Sequence, residues 1–172
     1  LGTEESYKLV GNLPYYAALP ILRKFLESPR RPAKAGILLQ LEVARRVCAL
    51  PGKMSLASLG VQMFASPRIT RTVLPGAFNP PPKVKSAIVS LDVYPRPLGE
   101  IDVSQFFKLL KTGFRAPRRQ LQNTLSKGSS LDHHQVEDIL VSAGIDPRKR
   151  PQALSIDDWL SLYKLWPVQG GR

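Results

Sequence analysis

The feature that most restricts how this chain can fold is a near-continuous apolar run at residues 35–41. The run reads Ala-Gly-Ile-Leu-Leu-Gln-Leu, and a strand of this composition is covered by other elements on both of its faces. A shorter apolar run at residues 8–11 precedes it, and apolar residues at helical spacing follow each of the two runs. The order strand, helix, strand, helix predicts a parallel α/β sheet within residues 1–95.

Spacing and turn residues predict the other elements of this part. One helix is expected to start near Pro20 and run to Leu26, a second to cover residues 43–50, and a third to follow a cap at Ser55. Two β-favouring stretches, at 70–74 and 84–93, flank a proline-rich loop at 75–83 and predict a hairpin. Three consecutive prolines are expected to make this loop rigid.

Residues 96–172 predict a small all-helical domain beyond the proline-rich boundary at 95–99. The expected helices are one at 106–114 capped by Ser104, a basic one at 117–125 opened by Pro117, one at 133–143 ended by Gly144, and one from Ser155 to Trp166. His133 and His134 are expected on the surface at a helix start. Cys48 is expected to be a small buried side chain rather than a reactive thiol.

The charge balance points to a polyanionic partner. The 172 residues contain 25 Lys and Arg against 13 Asp and Glu, a formal net charge of +12. No acid interrupts the basic stretch between Asp102 and Asp132, and a second basic region contains Arg68, Arg71, Lys83 and Lys85. These regions favour contacts with nucleic-acid phosphates, with a solvated helix face as the alternative.

Several classes of protein are excluded because the sequence has few cysteines and histidines and no long apolar segment. One cysteine and two adjacent histidines predict neither a disulfide framework nor a metal site. No window approaches 18 uncharged apolar residues, so no membrane span is expected. The chain opens on Leu1 without a signal segment, and we expect a piece of a longer, cytoplasmic protein.

A tetrapeptide, Asn12-Leu13-Pro14-Tyr15, directly follows the first predicted strand, at the edge of the sheet where α/β folds bind ligands. It suits methylation of an exocyclic aromatic amine. The Asn12 side-chain oxygen and the Leu13 carbonyl would accept the two amine protons, Pro14 would stiffen the loop, and Tyr15 would stack on the base. The base would have to leave its stack to reach them. The alternative is an ordinary turn with Tyr15 capping the core.

Further motifs accompany the tetrapeptide. They are residues 10–16 (VGNLPYY), 39–46 (LQLEVARR), 77–87 (AFNPPPKVKSA), 114–125 (FRAPRRQLQNTL), 144–147 (GIDP) and 150–155 (RPQALS). In this order, and over essentially the whole chain, they resemble the KsgA/RsmA family of rRNA adenine dimethyltransferases. The resemblance implies the second half of a Rossmann-like, S-adenosylmethionine-dependent methyltransferase sheet at 1–95. It also implies a small rRNA-binding helical domain at 96–172.

The same resemblance implies residue roles. Asn12 would lie against the methionine part of S-adenosylmethionine and accept from the target amine, with Leu13, Pro14 and Tyr15 completing the catalytic loop. Phe78 would lie on the other side of the flipped adenine, unless it is a loop aromatic that plugs the core. The residues implied to bind rRNA are Lys83, Lys85, Arg115, Arg118 and Arg119. The family methylates two neighbouring adenines near the 3′ end of the small-subunit (16S) rRNA, twice each, as part of ribosome biogenesis.

The sequence also departs from the family pattern. The family's glycine-rich donor loop and its two acidic donor-binding residues precede the tetrapeptide and are not in this chain, and Gln120 stands where a Lys is usual. We therefore expect the chain alone to bind no S-adenosylmethionine and to transfer no methyl groups. The strand ending at Gly11 would have an exposed edge that could form a dimer. The alternatives are a non-enzymatic RNA-binding or ribosome-assembly module and a DNA-binding organellar transcription factor.

Overall fold

The computed structural model describes residues 6–167, which form two compact units. The first unit contains residues 6–49 and 57–98, and the second contains residues 50–56 and 99–167. The short segment 50–56 joins the second unit because the main-chain N–H groups of Gly52 and Met54 both donate to the carbonyl of Gln152, at 2.8 and 3.1 Å.

The first unit is built on a four-stranded mixed sheet. Its strands are β1 (Lys8–Asn12), β2 (Lys34–Gln40), β3 (Ala65–Val73) and β4 (Ser86–Val93), in the order β1-β2-β4-β3. β1 and β2 are parallel, and β4 runs antiparallel to both β2 and β3. The parallel pair and the terminal hairpin expected from the sequence are both confirmed. The apolar run of β2 occupies a central position, with Ile37 and Leu39 fully buried.

The two edge strands differ from the expectation in detail. β3 begins five residues earlier than predicted and contains Pro67, which an edge strand tolerates because the missing N–H faces away from the ladder. A register shift between Ile69 and Arg71 also interrupts its pairing with β4. β1 lies at the opposite edge of the sheet, and its Val10 side chain is 84% exposed.

Three helices complete the first unit: α1 (Ala18–Leu26), α2 (Leu41–Val47) and α3 (Leu56–Gln62). α1 begins two residues before the predicted Pro20, after a turn in which the N–H of Ala17 donates to the carbonyl of Pro14. Cys48 follows α2 and is half-buried, so it is less buried than the sequence predicted. Burial nevertheless raises the pKa of its thiol, which disfavours the reactive thiolate.

The second unit packs four helices around Trp159. They are α4 (Val103–Gly113), α5 (Leu121–Gly128), α6 (His133–Ser142) and α7 (Ile156–Leu165). The Trp159 side chain is fully buried, and its ring stacks on Phe114 with centroids 5.6 Å apart. Asp132 and Ser155 begin α6 and α7 with capping boxes, and Gly144 follows α6 at φ +74°. As expected, His133 and His134 are exposed at the start of α6.

Two local expectations for this unit were wrong. Asp102, not Ser104, caps α4, because its carboxylate accepts from the N–H groups of Ser104 and Gln105 at 2.8 and 3.1 Å. The basic helix expected at 117–125 begins only at Leu121. Its first N–H donates to the carbonyl of Lys149 at 2.8 Å, so a distant segment fixes where the helix starts. Residues 115–119, here called the basic turn, form turns instead.

Two further properties concern residues 6–167. None of their helices has the length and apolar character needed to cross a membrane. No three side chains among the His, Cys, Asp and Glu residues of this range are grouped so that they could hold a metal ion.

Candidate active site

A cavity of about 360 Å³ opens where β1 ends. Its walls are the tetrapeptide Asn12-Leu13-Pro14-Tyr15 and three residues of the proline-rich loop, Phe78, Pro80 and Pro82. We call it the first cavity. All five residues that the sequence predicted as catalytic thus lie around one space, although the tetrapeptide and Phe78 are far apart in the chain. None of the residues within 6–167 that line this cavity is Asp, Glu, His, Lys or Arg.

The two predicted acceptors, Asn12 and the Leu13 carbonyl, have free hydrogen-bonding capacity. Asn12 is the last residue of β1, paired with Leu38 of β2, and its side chain is exposed. Within residues 6–167, neither its side-chain amide nor the carbonyl oxygen of Leu13 takes part in a hydrogen bond. The Leu13 side chain folds back over Gly11, where an added Cβ would meet Leu13 Cδ2 at 3.3 Å. Gly11 therefore gives the loop room to make its bend.

A hydrogen bond to a buried serine holds Tyr15 in place. Its hydroxyl lies 2.8 Å from the Oγ of Ser86, the first residue of β4, whose side chain is fully buried. Pro14 contributes the carbonyl that accepts from Ala17 and so leads the chain into α1. Ser86 could not be singled out from the sequence, because nothing local shows that a serine 71 positions away contacts Tyr15. Tyr15 is half-buried, which leaves part of its ring in the cavity rather than in the core.

Phe78 follows a single 3₁₀ turn at Pro75–Ala77. The N–H of Phe78 donates to the carbonyl of Pro75 at 3.1 Å, which fixes the backbone where the side chain enters the cavity wall. The side chain is half-buried and lines the first cavity, so it does not plug the hydrophobic core. Two aromatic rings that line one space of this size suit a flat heterocycle.

The predicted RNA-binding residues of the first unit lie beside the cavity rather than in it. Lys83 and Lys85 are exposed and follow the proline-rich loop. Lys85 lines a second cavity of about 430 Å³, together with Gln40, Leu41, Glu42, Arg45 and Val84. Arg68, which the sequence grouped with these lysines, instead lies 3.4 Å from the carboxylate of Asp92, so its charge is partly neutralised.

The predicted RNA-binding residues of the second unit, Arg115, Arg118 and Arg119, are exposed in the basic turn. The hydrogen bond between Leu121 and Lys149 brings the segment 148–150 next to the residues that follow this turn. Lys149 and Arg150 are exposed and form no ion pair within residues 6–167. These two residues were not predicted from the sequence to bind RNA, although three consecutive cations at 148–150 were a signal.

Comparison with known proteins places the chain in a family. Residues 2–167 match the family described as "Ribosomal RNA adenine dimethylase". The chain belongs to this family. It is 39% identical over 163 residues to ribosomal RNA small subunit methyltransferase A of Dehalococcoides mccartyi (strain CBDB1). The matched residues are 94% of this chain and 56% of that relative. The enzyme of the same name from Syntrophotalea carbinolica is 36% identical over 166 residues, 95% of this chain and 62% of its own length.

Solved structures agree with this membership at the level of the fold. The structure of the 23S rRNA methyltransferase ErmE is similar with a TM-score of 0.72 and 24% identity, over 95% of this chain and 66% of its own. A dimethyladenosine transferase from Plasmodium falciparum has a TM-score of 0.75 and 22% identity, over 94% of this chain and 67% of its own. The fold is therefore that of rRNA methyltransferases, and the chain spans little more than half the length of the Dehalococcoides relative.

Proposed function

We propose that this chain carries the target-base half of an S-adenosylmethionine-dependent rRNA adenine N6,N6-dimethyltransferase. The observation that carries the proposal is the first cavity, in which Asn12-Leu13-Pro14-Tyr15 and Phe78 surround one uncharged space. A family of rRNA adenine dimethylases supplies the class of reaction. The names of the relatives point to the small subunit as the substrate.

The chemistry follows from the two unused acceptors. The exocyclic nitrogen of adenine is a poor nucleophile because its lone pair is delocalised into the ring. When the Asn12 oxygen and the Leu13 carbonyl accept hydrogen bonds from its two N–H groups, the nitrogen becomes more tetrahedral and its lone pair becomes available. That lone pair would take up the methyl group that bound S-adenosylmethionine would supply, the electron pair of the methyl–sulfur bond would stay on the sulfur, and the displaced proton would pass to solvent water. Tyr15 and Phe78 hold the ring so that this nitrogen is directed at the methyl group.

S-adenosylmethionine supplies the methyl group on a positively charged sulfur. The residues of the first cavity fit only its methyl-bearing end, with Asn12 as the contact. Among the described residues that line the cavity there is no carboxylate to bind ribose hydroxyls, and three of them are prolines. We therefore propose that the 172-residue chain on its own neither binds the donor nor transfers methyl groups. Micromolar binding of S-adenosylmethionine to the chain in calorimetry would contradict this.

The proposed substrate is a pair of adjacent adenines near the 3′ end of 16S rRNA, presented in the 30S subunit, in the cytoplasm. The exposed cations of the basic turn and the net charge of +12 support an RNA partner. Each adenine would have to be unstacked to enter the first cavity. This substrate makes the protein a factor in ribosome biogenesis.

The test joins this chain to the N-terminal part of the Dehalococcoides relative and supplies undermethylated small subunits with S-adenosylmethionine. The joined protein is expected to dimethylate adenine, and Asn12→Ala is expected to lower kcat by about 100-fold or more, the typical effect of removing one transition-state hydrogen-bonding group. Tyr16→Ala is the matched control. Its side chain is 90% exposed, adjoins the tetrapeptide and does not line the cavity. Undiminished methylation by Asn12→Ala would remove Asn12 from the mechanism.

A second candidate function is a non-enzymatic RNA-binding or ribosome-assembly module. The exposed cations of the basic turn, with Lys149 and Arg150 close by, favour it because they need no donor half. If the joined protein binds small subunits but methylates neither adenine, this second function replaces the first.

The exposed Val10 on the edge strand β1 also supports a dimer of the isolated chain, which a monomeric mass in light scattering would reject.

A further inference from the structure

The second cavity lies at the same edge of the sheet as the first. β1 and β2 are parallel, with Asn12 opposite Leu38, so the residues that follow both strands emerge on one side. Asn12 begins the wall of the first cavity, and Gln40 begins the wall of the second. The space that follows β2 is thus a neighbour of the space that follows β1.

One short segment separates the two cavities. Pro82 lines the first cavity and Val84 lines the second, so their Cα atoms are at most about 7 Å apart. The two residues that directly follow this segment are held in place. The carbonyl of Lys85 accepts from the N–H of Leu41 at 2.9 Å, and the Oγ of Ser86 lies 2.8 Å from the Tyr15 hydroxyl. A polymer that places one unit in the first cavity can therefore place the next in the second.

Two cations and one side-chain amide in the lining of the second cavity have no ion-pair or hydrogen-bond partner within residues 6–167. Glu42 forms an ion pair with Arg46 at 2.8 Å, so it does not neutralise Arg45, and neither Arg45 nor Lys85 has an acidic partner within residues 6–167. The half-buried side-chain amide of Gln40 caps no helix and forms no hydrogen bond in the same range.

The remaining walls of the second cavity are apolar. They are Leu41 and Val84, and the Val84 side chain is 45% exposed. Cations beside an apolar wall and a free amide match the three parts of a nucleotide. The cations suit the phosphate, the apolar wall suits the face of the base, and the amide suits its edge.

We propose that the second cavity binds the nucleotide adjacent to the adenine being methylated. This proposal rests on the proposed function and adds a specificity site to it. Arg45 and Lys85 hold the phosphate of that nucleotide, and Val84 packs against its base. Gln40 selects adenine, because a carboxamide can accept from the exocyclic amine of adenine while donating to its N7. Guanine presents an acceptor where adenine presents this amine.

The first experiment varies the adjacent base and Gln40 together. The joined protein methylates small subunits in which the base next to the target is adenine, guanine or uracil. With adenine there, kcat/KM is expected to exceed the other two by about 5- to 150-fold, the discrimination that one bidentate pair confers. In Gln40→Ala that preference is expected to disappear while some methylation remains. The equally sized Gln40→Glu keeps an acceptor for the amine of adenine but cannot donate to N7, so it is expected to weaken the preference. An undiminished preference in Gln40→Ala, or its absence from the parent, overturns the proposal.

The second experiment compares two adjacent arginines of α2. Both are exposed, but Arg45 lines the second cavity, whereas Arg46 does not line it and is paired with Glu42. Because removal of Arg46 would free the Glu42 carboxylate, which lines the second cavity, both substitutions are made in a Glu42→Gln background. There, Arg45→Ala is expected to raise KM for the subunits several-fold and to leave kcat nearly unchanged, whereas Arg46→Ala is expected to leave both near the values of Glu42→Gln alone. Equal effects of the two substitutions would show that only the general charge of α2 matters and would overturn the phosphate contact.

A binding measurement separates this proposal from the function on which it rests. The 172-residue chain is titrated with a labelled RNA of roughly ten nucleotides that carries the adenine pair, or with the same RNA in which one adenine is guanine. If the joined protein methylates nothing, the proposed function fails. The second cavity is still supported if the chain prefers the adenine pair and Gln40→Ala removes the preference. It is refuted if the chain binds both RNAs equally.

Discussion

Removal of the Tyr15 hydroxyl tests whether the candidate site is anchored in the core. Ser86 is fully buried, and within residues 6–167 its hydroxyl has no hydrogen-bond partner except Tyr15, at 2.8 Å. Tyr15→Phe therefore leaves a buried hydroxyl unsatisfied and is expected to lower the free energy of unfolding by about 1–3 kcal/mol. Ser86→Ala leaves the half-buried Tyr15 hydroxyl, which water can reach, and is expected to cost only about 0.5–1.5 kcal/mol. The double variant has neither hydroxyl and should be close to the better single variant.

The assay must report on the sheet unit alone. Both tryptophans, Trp159 and Trp166, lie in the second unit, so their fluorescence does not report on the sheet. Hydrogen exchange of peptides from β4 measures the stability of the sheet directly. The expected loss corresponds to exchange about 5- to 150-fold faster in Tyr15→Phe, since each 1.4 kcal/mol is a factor of ten. If Tyr15→Phe exchanges like the parent, or if the double variant is as unstable as the sum of the singles, the anchoring argument is refuted.

Three further predictions concern the second unit. An added Cβ at Gly113 would lie less than 3.0 Å from Cη2 of the fully buried Trp159, so Gly113→Ala is expected to cost about 1–3 kcal/mol in urea unfolding followed by tryptophan fluorescence. Replacement of Arg118 and Arg119 by alanine is expected to weaken RNA binding for all sequences and to lower the slope of log K against log salt by about 1 per lost phosphate contact. The Ser104 hydroxyl and the Gln105 N–H lower the pKa of Asp102, so its stabilisation is present above the usual value of 3.8 and is lost as the pH falls through the folded-state pKa.

Each of these has a control. Lys111→Ala, at an exposed position of the same helix α4, should leave the stability nearly unchanged in the same assay. Arg23→Ala removes an exposed cation that is paired with Glu27 on α1 and should not alter the salt slope. Asp102→Asn keeps the acceptor and removes the titration, so urea unfolding of this variant between about pH 2 and about pH 5, the range in which a carboxyl with a lowered folded-state pKa titrates, should show a weaker pH dependence than the parent. An unchanged pH dependence would mean that Asp102 does not link protonation to folding.

The sequence predicted the elements whose signals are local. The apolar run at 35–41 became the central strand β2, and the residues Asp132 to Gly144 contain both ends of α6 within one short stretch. The two wrong assignments have a shared physical cause. Asp102 and Ser104 are both good capping residues, and only the backbone path decides which one faces the free N–H groups. The start of α5 is decided by Lys149, which lies 28 positions beyond Leu121 and leaves no trace in the local pattern.

The candidate site shows the same division between local and distant information. The tetrapeptide and Phe78 could be predicted as parts of one site because the family resemblance includes both motifs, at 10–16 and 77–87. Composition alone does not connect them. Ser86 and the second cavity could not, because they arise from the register of β4 against β2, where Gln40 pairs with Ser86. That register places Gln40, Lys85 and Tyr15 along one edge. Since none of the described residues around the first cavity is Asp, Glu, His or Lys, the proposed catalysis depends on the position of the target base rather than on a charged general base, and the strand register contributes to that position.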